Sequence, residues 1–171
     1  IAMIRATAAD PLGNLVMDDE AVIGEVLPLA QAARNHGGYV LAQVKRLLQH
    51  PAKPKDVRVP GILVDRIVVA NEGEHDQTFA ESFNSSYCEP YSDSVLNLPP
   101  LPRDARRIIA VRACDELRPG DIANLGIGMP EGIARIAAER NLLQAVTLTV
   151  ESGPIGGMPA GGLSFGASVH P

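Results

Sequence analysis

Thr147-Leu-Thr-Val-Glu-Ser-Gly-Pro-Ile-Gly-Gly-Met-Pro-Ala-Gly-Gly162 carries a β-branched, apolar run onto one carboxylate, Glu151, and then straight into a glycine-dense loop. In open α/β sheets, ligands bind beyond the carboxyl ends of the strands, where loops bring backbone amides up to a charged or polarised group. A glutamate that closes a strand is ordinarily a solvated end, and here the loop after it argues for more. Gly153, Gly156, Gly157, Gly161 and Gly162 remove Cβ atoms over a short stretch, while Pro154 and Pro159 stiffen it. Such a backbone can approach a ligand closely without being floppy. A second loop of this kind, Asn124-Leu-Gly-Ile-Gly-Met-Pro-Glu-Gly132, lies upstream, between an apolar run ending near Leu125 and a helical pattern that opens at Pro130. Two strand–loop units are therefore expected to converge.

Outward from these loops, the pattern alternates between strand and helix. Residues 145–150 and 121–125 read as strands, and residues 130–140 as a helix with proline at its first position. Residues 103–117 read as a helix that is basic at its start, with Ile108, Ile109, Val111 and Ala113 as its apolar face and Pro119-Gly120 as its stop. Residues 71–102 are rich in Ser, Asn, Asp, Glu and Pro with little periodicity, the mark of a linker or crossover. In the amino-terminal half, residues 4–9 read as a strand and Asp10-Pro-Leu-Gly-Asn14 as a turn. Residues 20–35 read as a helix with an apolar stripe of Ala21, Val22, Val26, Leu29, Ala30 and Ala33, which Pro28 should kink or restart. Gly37-Gly38 stops it. Strands are expected at residues 39–45 and, after the Pro60-Gly61 turn, at 62–70. Alternation in both halves predicts an α/β fold with parallel sheets.

The ordered set of motifs resembles the family I coenzyme A-transferases. The resemblance rests on Asn-Leu-Gly-Ile-Gly-Met-Pro at 124–130 and Val-Glu-Ser-Gly-Pro-Ile-Gly-Gly at 150–157. Arg5-Ala-Thr-Ala-Ala-Asp10 with Gly13-Asn14, Gln43-Val-Lys-Arg46 and Pro60-Gly61 support it. It implies a CoA-transferase-like, Rossmann-like fold and parts of two related α/β domains: residues 1–70 as the end of the first, 71–102 as the linker, and 103–171 as the start of the second. In the family, the glutamate matching Glu151 attacks an acyl-CoA thioester, giving an acyl-glutamyl anhydride and then a glutamyl-CoA thioester that a carboxylate acceptor resolves. The branch resembled handles short-chain acyl groups such as acetate and propionate. Gly126 and Gly128 are expected to shape the wall beside Glu151, and the loop at 156–162 to carry amides near the thioester or acceptor. The family's glycine-rich CoA-contacting loop and its glycine-containing segment after the glutamate are not found, so the chain reads as a middle fragment of a larger enzyme. The alternatives are an acyl-CoA hydrolase and a non-catalytic piece sharing the fold.

Composition fits this class. The chain has 171 residues, 46% of them apolar, and a net charge of −5. That charge argues against a general nucleic-acid binder, which needs a basic face. The phosphates of CoA call for a local basic patch, with Lys45 and Arg46 as candidates that could equally be solvated strand ends. No apolar run is long enough to cross a bilayer. Cys88 and Cys114 are far apart, and His36, His50, His75 and His170 are scattered, which predicts reduced thiols, no metal site and a cytoplasmic protein. His75 is expected to serve as a linker hydrogen-bonder or an inter-domain contact. The expected partners are acyl-CoA and a carboxylate acceptor, with CoA as substrate rather than cofactor, and a homo-oligomeric assembly.

Overall fold

In the computed structural model, residues 1–79, 81–89 and 99–167 are described; His170 and residues 80 and 90–98 of the expected linker lie outside them. The chain divides into two compact units, Ile1–Gln77 and Thr78–Pro171.

The first unit is a four-stranded sheet with one helix. Strand β1 (Ala2–Ala9) pairs in parallel with β3 (Val40–Leu47), which pairs in parallel with β4 (Arg66–Val69). A two-residue strand β2 (Leu15–Val16) runs antiparallel along β1, giving the order β2-β1-β3-β4. The register sets Ala6 opposite Val44 and Ala2 opposite Val40. Alanines on β1 keep the sheet surface low, so the helix α1 (Val26–Asn35) can lie close with Ala30 fully buried. Leu15, Val40, Val44 and Val59 complete the core with no exposed surface. Each such side chain stabilises the unit by about 2 kcal/mol relative to leaving it in water.

Helix α1 is shorter than the periodicity predicts. Residues 20–25 are not helical, and Pro28 sits in the first turn, where its missing N–H costs nothing. Accordingly Val22 and Leu29 point to solvent, and the packed stripe is Val26, Leu27, Ala30 and Ala33. The stop is where the glycines place it: Gly38 N–H donates to Ala33 O at 2.8 Å and Gly37 N–H to Arg34 O at 3.0 Å, with Gly37 at φ +67°. This paired closure satisfies the last carbonyls of the helix. The expected strand at 62–70 begins only at Arg66, because Gly61–Leu63 forms a single 3-10 turn.

Two sequence motifs meet at the end of β1. The Asp10 carboxylate accepts from Leu12 N–H, Asn14 N–H and Ala52 N–H and from the Asn14 side-chain amide, at 2.9–3.0 Å. Burial pushes this carboxyl up, but the four donors outweigh it and hold it below its ordinary value. A folded-state value below the unfolded one contributes stability above about pH 3.9, and that contribution is lost as pH falls through the folded value. Circular dichroism melts between pH 3 and 7 should therefore show an acid-destabilised unit. Asp10→Asn should be less stable by about 2 kcal/mol at neutral pH and show a shallower acid limb. An unchanged pH dependence would remove Asp10 from that role.

His75 is buried in this same unit, with Nε2 at 2.9 Å from Glu20 Oε1, while Glu20 Oε2 accepts from Arg5 Nε at 2.7 Å. Glu20, where the periodicity starts the helix, is thus held by Arg5 and His75 instead, and the helix begins at Val26.

The second unit pairs β5 (Ile122–Leu125) in parallel with β6 (Thr147–Val150) and packs α2 (Ala105–Cys114) against α3 (Glu131–Glu139). The face that α2 buries is only partly the expected one: Val111 packs against the core. Ala110 and Cys114 face the core, whereas Ile108 and Ile109 are 66% and 50% exposed. Close approach of the two helices explains the choice: a Cβ on Gly132 would lie 3.0 Å from Ala110 Cβ, so only small residues fit at the crossing. A bidentate pair, Arg107 with Glu139 at 2.8 and 2.5 Å, and a second pair, Arg140 with Asp115 at 2.8 Å, strap the helices. Among the described residues, no helix is long and apolar enough to cross a membrane.

Candidate functional site

The parallel pair β5–β6 sets both glycine loops at one end of the second unit. Leu125 stands opposite Val150, so the two chains leave the sheet side by side. One step earlier, the Asn124 side-chain amide donates to Thr149 Oγ1 at 3.0 Å across the pair. Glu151 is the first residue past β6 and is exposed. The chain then turns back on itself: Gly153 N–H donates to Val150 O, Val150 N–H to Pro154 O at 3.0 Å, and Gly156 N–H to Leu148 O at 2.7 Å. Gly153, at φ +123°, is the residue that permits this reversal. Glu151 is therefore held at the tip of a tight return, its carboxylate in solvent.

Beside this tip lies a cavity of about 650 Å³. Of the glycines singled out in the sequence, Gly128, Gly156 and Gly161 line it; Gly126, Gly153, Gly157 and Gly162 do not, and neither does Glu151. A Cβ at Gly126 would meet nothing within 4 Å, so among the described residues no close contact demands a glycine there.

A polar cluster that motif reading overlooked forms one side of the cavity. The Glu81 carboxylate accepts from Tyr87 OH at 2.6 Å, Ser164 Oγ at 2.8 Å and the Asn84 amide at 3.0 Å. The Tyr87 bond, with those from Ser164 and Asn84, holds Glu81 below the usual carboxylate range against the effect of burial. Burial and the same carboxylate push the Tyr87 hydroxyl up. The cluster joins residues that the sequence assigns to a linker with Ser164 beyond the glycine loop, a juxtaposition no local signal announces.

The basic groups at the cavity are Arg106 and Arg135. Lys45 and Arg46, the sequence candidates, lie in the first unit, where Asp19 pairs with them at 3.6 and 2.7 Å. Glu131, in the first turn of α3, was also missed. Its Oε2 accepts from Gly128 N–H at 3.2 Å and Gly162 N–H at 3.0 Å, one amide from each glycine loop.

No protein-family model matches the chain. It is 40% identical over 172 aligned residues to caffeate CoA-transferase of Acetobacterium woodii, and 37% identical to acetate CoA-transferase YdiF of Escherichia coli K12. Its close homologues are CoA-transferases. Each alignment takes in 99% of this chain, and the chain spans about a third of the length of these relatives, 33% and 32%. Among solved structures, it superposes on acyl-CoA transferase YdiF of E. coli O157:H7, in a thioester complex with CoA, with a TM-score of 0.71, 35% identity, 94% of this chain and 31% of that one. The apoenzyme of YdiF matches with a TM-score of 0.72 at 34% identity, over 99% of this chain. The mixed α/β architecture with mostly parallel strands is thus a CoA-transferase-like fold, as the sequence predicts.

Proposed function

We propose that the protein carrying this segment transfers CoA from a short-chain acyl-CoA to a carboxylate acceptor, of the acetate, propionate or 3-oxoacid kind, with Glu151 as nucleophile. The observation that carries the reading is the placement of Glu151. It is a lone carboxylate at the carboxyl end of a parallel strand, held at the tip of a tight return beside a second glycine loop. The homology to CoA-transferases along 99% of the chain supports it.

A Glu151 oxygen attacks the thioester carbonyl; the C–S bond breaks, CoA leaves as thiolate, and an acyl-glutamyl anhydride forms. The thiolate then attacks the glutamyl carbonyl, releasing the acyl group as a carboxylate and leaving a glutamyl-CoA thioester. The acceptor carboxylate attacks that thioester, and the same steps run in reverse. Negative charge builds on a carbonyl oxygen at each attack, and preorganised amide donors are what lowers those barriers. In the proposal all seven glycines, Gly126, Gly128, Gly153, Gly156, Gly157, Gly161 and Gly162, shape the loops around the thioester; the N–H groups of Gly128, Gly153, Gly156 and Gly162 already donate within the chain, so Gly126, Gly157 and Gly161 are the ones assigned as donors.

The test is covalent trapping. The protein is incubated with acetyl-CoA or propionyl-CoA and treated with borohydride, which reduces a glutamyl thioester to an alcohol; peptide mapping by mass spectrometry then locates the change. Modification at Glu151 is the expected result. Its absence both in this chain and in a chain as long as the relatives would refute the proposal.

A further inference from the structure

We infer that Glu131 is a positioning residue that ties the two glycine loops together through one carboxylate oxygen and so fixes the frame around Glu151. This deepens the transferase reading and rests on it. The bond to Gly128 lies three residues back along the chain and is the contact an acidic residue in a first helical turn makes for its own helix. The bond to Gly162 spans 31 residues and serves no helix. It joins the far end of the loop that starts at Glu151 to the start of α3.

Other contacts hold the carboxylate in place. Its side chain is only 16% exposed, and Arg106 Nη2 of α2 lies 3.8 Å from Oε1. The same Arg106 donates to Gly128 O at 3.3 Å, so the amide and the carbonyl of Gly128 are both held. Gly161 passes so near that a Cβ there would stand 3.6 Å from Glu131 Oε1. Helix α2, helix α3 and the two loops are therefore linked through one side chain. Because both loop amides use a single oxygen, the requirement is for an acceptor atom rather than for a charge. A loop closed in this way keeps its amides in position before substrate arrives, which is the condition for effective preorganisation.

The test has two parts. In the full-length protein, Glu131→Ala should lower kcat for CoA transfer by roughly tenfold or more with KM for acyl-CoA little changed. Glu131→Gln keeps one carbonyl oxygen and should stay within about threefold of wild type. Alanine without effect, or glutamine as damaging as alanine, overturns the inference. Since Glu131→Ala could also fail to fold, the wild-type protein, labelled with 15N and 13C, gives an independent readout. Scalar couplings through hydrogen bonds from the amide nitrogens of both Gly128 and Gly162 to the Glu131 side-chain carboxyl carbon are expected, and their absence overturns the inference. If the couplings are present but wild type forms no adduct at Glu151, the transferase reading fails, and with it the positioning role in that reaction, while the bonds themselves stand.

Discussion

Replacing Glu151 with aspartate should lower CoA transfer by the full-length protein by at least two orders of magnitude. The change retracts the carboxylate by one methylene, and a misplacement of about 1 Å at a reacting centre can cost about a hundredfold. Glu151→Ala should abolish the borohydride-trapped adduct altogether. Neither change should disturb folding, because Glu151 is exposed and receives no structural hydrogen bond from its neighbours in the return. Surface substitutions of that kind shift stability by only about 0.5 kcal/mol. Full activity in Glu151→Asp would remove the nucleophile from the mechanism. The exposure of Glu151 also bears on how the chain should behave by itself. A hydrated carboxylate is a weak nucleophile towards a thioester, and something must strip its water. A longer chain should therefore form the adduct faster than the 171-residue chain does.

Gly61→Ala should be the most damaging single methyl group in the first unit. A Cβ built there would stand 2.2 Å from Leu12 O, 2.8 Å from Gly13 C and 3.1 Å from Asn14 N, all backbone atoms. Flexible side chains could swing aside, but these atoms belong to the turn that Asp10 organises, and Asn14 Oδ1 already accepts from Gly61 N–H at 2.8 Å. Relief requires moving the turn and breaking those bonds. A loss of about 3 kcal/mol or more is expected, which for a unit of this size lowers its melting temperature by roughly 12–24 °C. A melt within about 3 °C of wild type would contradict the close approach of these two segments.

Some of these features are legible in the sequence and others are not. Glu151, the glycines after it and the stop of α1 at Gly37-Gly38 are local chemistry, and local chemistry survives in a string of letters. The start of α1 is not local: periodicity counts Ala21 and Val22 as helical, but Glu20 is drawn away by Arg5 and His75, one of them from beyond β4. On α2 the most hydrophobic residues, Ile108 and Ile109, pointed to the wrong face, because the packing there is decided by how small Ala110 and Gly132 are. The contacts that build the cavity wall and tie down its loops, Glu81 with Ser164 and Glu131 with Gly162, are between distant positions. Gly13-Asn14 and Pro60-Gly61 read as separate turns in the sequence; only the fold shows that they are halves of one joint.

The return of the chain after Glu151 has a consequence for self-association. By bonding Pro154 and Gly156 to β6, it occupies the outer side of that strand, so that among the described residues the second unit offers free strand backbone only along β5. Two copies joined through that margin would use it up on both sides. Among the described residues, strand pairing between copies of this unit is thus confined to one margin, which favours a closed couple over open-ended stacking.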